Sequence, residues 1–236
     1  MPPYPLKAII VMPAYNAART LRTTLEKLPR EYREIILCDD ASTDDTVGVS
    51  RALGLTTIAH ERNCGYGANQ KTLYDAALRR EPDVIVMVHP DDQYDTAAVP
   101  AMVERVAAGA SLVLGARMAS ALKNGMPVWK YTGNRLLTAL QNITFRSALS
   151  EFHSGLRAYD ARLFREMPYA SFSDEFVFDS EIIAWCMANG RRVEEVPAEC
   201  HYTPEVSSVG FRESVRYGLG TLRVLLRYFF GGYREK

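Results

Sequence analysis

Asp91, Asp92 and Gln93 set two carboxylates and an amide oxygen within three residues, directly after the apolar run Val84–Val88. Hard oxygen donors that close together suit Mg²⁺ or Mn²⁺, ions that keep several waters and take remaining ligands from a substrate phosphate. Asp91, Asp92 and Asp95 are equally able to cap a helix starting at Thr96, so the local pattern alone leaves both chemistries open. Two other polar clusters also follow apolar runs: Pro13-Ala14-Tyr15-Asn16 after Leu6–Met12, and Asp39-Asp40 after Glu34–Cys38. Tyr15 can stack on a base. Asp40 can accept hydrogen bonds from the N–H groups of uracil or guanine. Taken together, the three clusters describe a nucleotide pocket in which a cation at Asp91 bridges a diphosphate.

Strands must deliver these clusters to one place. An apolar run as short as Val84–Val88, bounded by polar residues, reads as a strand covered on both faces, as in a parallel sheet. Ligands of open α/β sheets gather beyond the carboxyl ends of the strands, where all three clusters fall. Strands are expected at Leu6–Met12, Glu34–Cys38, Thr56–His60, Val84–Val88 and Ser111–Gly115. Helices are expected between them: Ala17–Leu28, a helix capped by Ser42 or Thr43 and running to about Leu53, Ala68–Arg80 and Thr96–Ala108. This alternation predicts a mostly parallel, doubly wound α/β sheet flanked by helices. Beyond residue 116 the pattern changes to helices over Trp129–Phe145 and Asp179–Asn189, with strands over Gly155–Tyr159 and Arg192–Tyr202. No linker, repeat or low-complexity tract intervenes, so residues 1–210 read as one domain and 211–236 as a C-terminal amphipathic helix and tail.

Composition removes several classes of function. Lys+Arg and Asp+Glu both number 28, so no global charge favours nucleic acid. Cys38, Cys64, Cys186 and Cys200 lack metal-ligand spacing and read as reduced thiols of a cytoplasmic protein. No run of about 20 apolar residues predicts a membrane span. A P-loop is absent. The Gly65-x-Gly67 pair has Gln70 where a dinucleotide motif needs its third glycine, and it follows the third strand rather than the first. Gly65 and Gly67 also fit a simple turn with positive φ.

The ordered set VMPAYNAARTL, ILCDDASTDDT, NCGYGANQ, VHPDDQYD, LGAR, NRLLTALQN, SEFHSGLRAY and FVFDSE resembles family 2 glycosyltransferases of the GT-A fold, in the branch of polyprenyl-phosphate mannose and glucose synthases. The resemblance covers about residues 7–220. It implies that Pro13, Tyr15, Asn16, Cys38, Asp40, Gly67, Pro90 and Asp91 hold a UDP- or GDP-linked sugar. Asp91 matches the second acid of the family's DxD motif, with Gln93 as its helper; the ion would be Mn²⁺ or Mg²⁺. His89 stands where the first acid of that motif belongs, so it either ligates Mn²⁺, which imidazole suits better than Mg²⁺, or hydrogen-bonds a ribose or phosphate oxygen. Arg117 and Arg135 match positions facing an acceptor phosphate, which a guanidinium fork pairs with bidentately. Asp179 and Glu181 match an FDxE element near the reaction centre.

The implied reaction is inverting transfer of a single sugar to a polyprenyl phosphate or other glycan precursor. A phosphate acceptor is already nucleophilic at neutral pH, its second pKa lying near ~6. An alcohol acceptor needs a base, for which Glu151 is the candidate and His153 a lesser one; Glu151 can instead form a salt bridge with Arg146 or Arg157. From Phe211 to Phe230, four arginines (Arg212, Arg216, Arg223, Arg227) fall within a sector of about 60° at ~100° per residue on an otherwise apolar helix. Such a helix suits peripheral contact with the inner face of a membrane, or packing on the sheet or in a homo-oligomer. A sugar nucleotidyltransferase would want a glycine-rich loop after strand one, and PAYNAART has no glycine. A non-catalytic nucleotide-sugar binding protein is the other alternative, raised by His89.

Overall fold

The computed structural model describes residues 6–202 and 210–235. Residues 203–209, which the expected domain spans, and the ends of the chain lie outside them. Among the described residues, seven strands form one sheet: β1 (Ala8–Ala14), β2 (Ile35–Asp39), β3 (Thr56–Ala59), β4 (Val84–Met87), β5 (Leu112–Ala116), β6 (Arg157–Asp160) and β7 (Val193–Pro197), in the order β3-β2-β1-β4-β6-β5-β7. All pairings are parallel except those of β6, which runs antiparallel to β4 and β5. The helices are α1 (Leu21–Lys27), α2 (Thr46–Ala52), α3 (Tyr66–Leu78), α4 (Val99–Ala107), α5 (Val128–Phe145), α6 (Leu163–Glu166), α7 (Phe178–Ala188) and α8 (Phe211–Phe229).

Side chains alternate across a strand, so each central strand feeds two cores. Ile9 and Val11 of β1, with Ile85 and Met87 of β4, pack under α3, α7 and α8. Ile10, Met12, Val84, Val86 and Val88 pack under α1 and α4. Burying each such side chain contributes ~1.5–3 kcal/mol, and a one-residue register slip would exchange the two sets. Helix α7 is buried on every side from Phe178 to Cys186, as expected of an apolar helix inside a domain. Its only acids, Asp179 and Glu181, lie in the first turn, where the positive end of the helix dipole favours them.

Three local expectations change. Helix α2 begins at Thr46, because the Ser42 hydroxyl donates to Asp39 while Thr43 donates to Asn16 Oδ1. Both residues tie loops together instead of capping. Ahead of α4 stands a 3₁₀ turn, Thr96–Ala98, capped by Asp95, whose Oδ1 accepts from the Ala97 N–H at 2.9 Å. The expected long last strand ends at Pro197, with only an antiparallel bridge between Tyr94 and Cys200 beyond it.

Candidate active site

Parallel β1, β2 and β4 end on the same edge of the sheet, so their following loops converge. They open onto a cleft of ≈ 1150 Å³. That is slightly more than the ~300–1,000 Å³ usual for one small molecule and allows two substrates side by side. Helix α5, the 153–157 segment and α8 form the other walls.

At the β1–β2 end, Pro13, Tyr15, Asn16 and Asp40 line the cleft. The Tyr15 ring is 54% exposed, available to stack. Asn16 sits at φ 55°, a left-handed conformation that asparagine tolerates. Its Oδ1 accepts from the Thr43 N–H at 2.8 Å, joining the first two loops. Buried Asp40 already accepts from the Cys64 N–H (2.8 Å), the Gly65 N–H (3.0 Å) and His60 Nδ1 (2.7 Å). A carboxylate offers about four acceptor positions, so roughly one is left for a base. Cys38 is fully buried and does not line the cleft; its carbonyl accepts from Asn69 Nδ2 at 2.9 Å. Burial pushes the Cys38 thiol up to about 12. Gly67 is not a cleft residue either. A Cβ there would lie 2.4 Å from the Ser173 carbonyl, so the glycine lets the 173–178 segment close on α3. Gly65 is the turn residue, at φ 100°.

The acidic loop is pinned from α1. The Thr20 hydroxyl donates to the Pro90 carbonyl at 2.6 Å, and Thr24 Oγ1 accepts from the Asp92 N–H at 3.1 Å. Asp92 turns away to pair with Lys27 at 2.7 Å, which removes it from the ligand set. His89, Pro90, Asp91 and Gln93 do face the cleft. Asp91 caps no helix; its Oδ1 accepts from the Gln93 N–H at 3.1 Å, and among the described residues no donor reaches Oδ2. That free oxygen, the Gln93 amide and the His89 imidazole form a donor set that fits a divalent cation. Burial holds His89 below its ordinary pKa against the pull of Asp91 and Asp179. Asp40, His60 and Cys64 also come within 4.8 Å of one another, yet Asp40 and His60 are committed to the hydrogen bonds just described.

Arg117, after β5, marks the other end. Its guanidinium lies 5.6 Å from the Tyr94 ring and 5.9 Å from the Tyr202 ring, and donates to the His153 carbonyl at 2.9 Å. Glu151 is fully buried and absent from the cleft wall. Its Oε1 accepts from the Arg117 N–H (3.0 Å), and Oε2 accepts from Arg117 Nε (3.3 Å) and Asn134 Nδ2 (3.1 Å). The expected base is thus a buried anchor for Arg117, and its salt bridge goes to neither Arg146 nor Arg157. Arg135 donates to the Ser150 carbonyl at 3.4 Å outside the cleft. Lys130, not Arg135, lines the cleft, with Gly133, Asn134 and Leu137, and burial and Arg117 lower its pKa. His153 Nδ1 and the Tyr217 hydroxyl of α8 share a hydrogen bond at 2.7 Å, and the buried Nε2 of His153 has no partner among the described residues. Burial, Arg117 and Arg157 lower its pKa to about 3, which makes it a poor base.

The family model for glycosyl transferase family 2 matches residues 9–167. The chain belongs to that family. It is 30% identical to an uncharacterised protein of Methanocaldococcus jannaschii over 85% of this chain and 84% of the other. The dolichyl-phosphate hexose transferase of Haloferax volcanii is 24% identical over 80% of each chain. The UDP-N-acetylglucosamine–dolichyl-phosphate N-acetylglucosaminyltransferase of Methanococcus voltae is 22% identical over 82% of this chain and 85% of its own. Among solved structures, glucosyl-3-phosphoglycerate synthase of Mycobacterium tuberculosis, bound to Mn²⁺, UDP and phosphoglyceric acid, superposes with a TM-score of 0.72 at 16% identity, covering 98% of this chain and 80% of that one. The fold is therefore GT-A, and the protein is a glycosyltransferase acting on nucleotide sugars.

Several residues of this glycosyltransferase's cleft escaped the sequence reading. Tyr66 and Asn69 lie inside NCGYGANQ, but only the helical turn from Gly65 aims them at the cleft. Asp179 was expected nearby. The structure shows it gathering Tyr66 (3.1 Å), Gln70 (3.0 Å) and Arg157 (3.3 Å). Glu181 instead faces away from the cleft, accepting from the Ser173 N–H at 2.6 Å and from Tyr233 at 3.1 Å. Tyr217 had no signal beyond its place in the C-terminal helix.

Proposed function

We propose that this glycosyltransferase moves a single sugar, with inversion, from a UDP- or GDP-linked donor to a polyprenyl-type lipid phosphate. The observation that carries the choice of acceptor is the state of Glu151: fully buried behind the cleft wall, with both oxygens engaged by Arg117 and Asn134, it presents no oxygen to a substrate. Asp179 lines the cleft but already takes Tyr66, Gln70 and Arg157, and His153 is a poor base. An alcohol acceptor would need one of them to remove a proton. A phosphate monoester needs none, because it is an anion at pH 7. Arg117 and Lys130 supply the cationic surface that would hold it, at the end of the cleft away from Tyr15 and Asp40. Relatives named as dolichyl-phosphate transferases use an acceptor of this class.

Tyr15 and Asp40 hold the nucleoside, and the pinned 89–93 loop presents Asp91 and Gln93 to the diphosphate. Asp91, Gln93 and His89 would ligate a Mn²⁺ or Mg²⁺ ion, which when bound stabilises the charge developing on the departing diphosphate. The acceptor phosphate attacks the anomeric carbon from the face opposite that leaving group, so configuration inverts. Buried Glu151 keeps Arg117 fixed, so little ordering is left for the moment of reaction.

A lipid acceptor also fits the outer surface. No helix among the described residues is long and apolar enough to cross a membrane. Helices α5 and α8 pack together, and each leaves an apolar stripe bare: Leu136, Leu140 and Ile143 on one; Leu219, Leu222, Leu226, Phe229 and Phe230 on the other. Arg212 and Arg223 flank the α8 stripe, while Arg216 and Arg227 pair with Glu175 and Glu181. Such a face rests in a headgroup layer, and Leu136, Leu219 and Leu222 continue it into the cleft. The test is sugar transfer from UDP- and GDP-sugars, with Mn²⁺ or Mg²⁺, to a polyprenyl phosphate, the matching polyprenol and a soluble sugar phosphate. Transfer to the lipid phosphate, lost in Asp91→Ala, is expected. Equal transfer to the polyprenol, or preference for the soluble phosphate, would refute the proposal.

A further inference from the structure

We propose that Tyr66 is a positioning residue that fixes the proton of His89 on Nε2, leaving Nδ1 as the nitrogen that ligates the divalent cation beside Asp91. This rests on the cation reading of the Asp91 loop given above, and assigns to that site a residue from outside the loop motif and the ligating atom of His89.

The direction of each hydrogen bond follows from what its neighbours can do. Asp179 is ion-paired with Arg157 at 3.3 Å and accepts from Gln70 Nε2 at 3.0 Å; a carboxylate in that state only accepts. The Tyr66 hydroxyl lies 3.1 Å from Asp179 Oδ2 and 3.0 Å from His89 Nε2. The phenol has a single proton to give. That proton goes to Asp179, the partner that cannot donate. The phenol oxygen is then an acceptor toward His89, and Nε2 must carry the hydrogen. A neutral imidazole has one N–H, so Nδ1 is left with its lone pair.

The ring has no freedom to undo this. The Tyr66 ring stacks on it with centroids 5.6 Å apart and planes 8° from parallel, and Phe176 backs Tyr66 at 4.7 Å. On another side, a Cβ at position 155 would lie 2.6 Å from His89 Cδ2 and 2.7 Å from Nε2. Gly155 therefore leaves the space that the ring fills. The Nε2–Cδ2 edge is shut against Gly155 and Tyr66, and Nδ1 is on the opposite edge of the ring. Metal-bound histidines generally donate their other N–H to a fixed partner, which sets tautomer and orientation. Here a tyrosine relays that role from a buried aspartate. The FDxE element thus acts on the loop of Asp91 through Tyr66, and an imidazole in place of a carboxylate tilts the site toward Mn²⁺ over Mg²⁺.

Histidine-labelled full chain gives a direct reading, since there are only four histidines to assign. In the metal-free protein, two-bond ¹H–¹⁵N correlations should show His89 with Nε2 protonated and Nδ1 bare. Mn²⁺ titrated with UDP should then broaden the His89 signals first. Tyr66→Phe keeps both stacked rings and removes only the hydroxyl. It should weaken Mn²⁺ binding, read from free-Mn²⁺ EPR, by ~10–100-fold with an unchanged fold by circular dichroism. His89→Asp should shift preference toward Mg²⁺. A proton on Nδ1 in the wild type overturns the inference. So does Mn²⁺ binding that Asp91→Ala abolishes while Tyr66→Phe and His89→Ala leave it intact, an outcome that spares the cation reading itself. Absence of any Mn²⁺ binding with UDP overturns both.

Discussion

Glu151→Gln separates an anchor from a base. The wild-type carboxylate is fully buried and takes three donors: two from Arg117 and one from Asn134. Glutamine keeps the shape but replaces one acceptor oxygen with an NH₂ group, which must face one of those donors. The Arg117 side chain is only 14% exposed, so its charge is left largely buried and without its counter-ion. Removing one partner of a buried ion pair costs about 3–5 kcal/mol; partial acceptance by the remaining amide oxygen places this variant near the lower figure. For a chain of this size, each kcal/mol lowers Tm by about 2–4 °C, so a fall of about 6–12 °C is expected. Differential scanning calorimetry measures it. In transfer assays the variant should show a raised KM for the lipid phosphate and an unchanged shape of the pH–rate profile, because Arg117 is misplaced while no titrating base is lost. A Tm within about 1 °C of wild type, together with a kcat reduced by more than about 100-fold and a missing acidic limb, is the signature of a general base and would refute the anchoring role.

Lys130→Ala should raise the acceptor KM at least about tenfold, whereas Arg135→Ala leaves it within about twofold; steady-state kinetics at fixed ionic strength compares them. Gly155→Ala should cut transfer sharply, because the new methyl displaces the His89 ring, while far-ultraviolet circular dichroism stays native. Burial places His153 at about 3 in the folded chain against an ordinary 6.5. The unfolded chain therefore binds the extra proton between those values, and this contribution to stability is present above about pH 6.5 and lost as pH falls toward 3. His153→Gln should flatten the acid limb of a urea-stability profile by up to ~1.4 kcal/mol per pH unit; an unchanged slope refutes the burial effect. Leu226→Glu with Phe229→Glu should abolish sedimentation with anionic-lipid vesicles, without altering hydrolysis of donor in solution.

The sequence by itself determined the scaffold. Short apolar runs alternating with helical stretches specify strands and crossovers through local periodicity, and the loops after β1, β2 and β4 had to meet because parallel strands end on one edge. The polar clusters described a nucleotide pocket for the same reason, and the resemblance of the ordered motifs to family 2 glycosyltransferases added the sugar. Only the tertiary structure decided which side chains work in the cleft. Five residues on a helix turn through ~500°, or about 140° past whole turns, so Lys130 and Arg135 cannot share a face; which one points inward depends on how α5 docks. Glu151 found Arg117, and Asp92 found Lys27, across 34 and 65 positions of chain. Asp179 reached Tyr66 across 113. Spacing along a chain encodes phase within one element, but a partner that far away is chosen by the packing of elements against one another, and here that packing set the charge, the tautomer and the free lone pairs of the site.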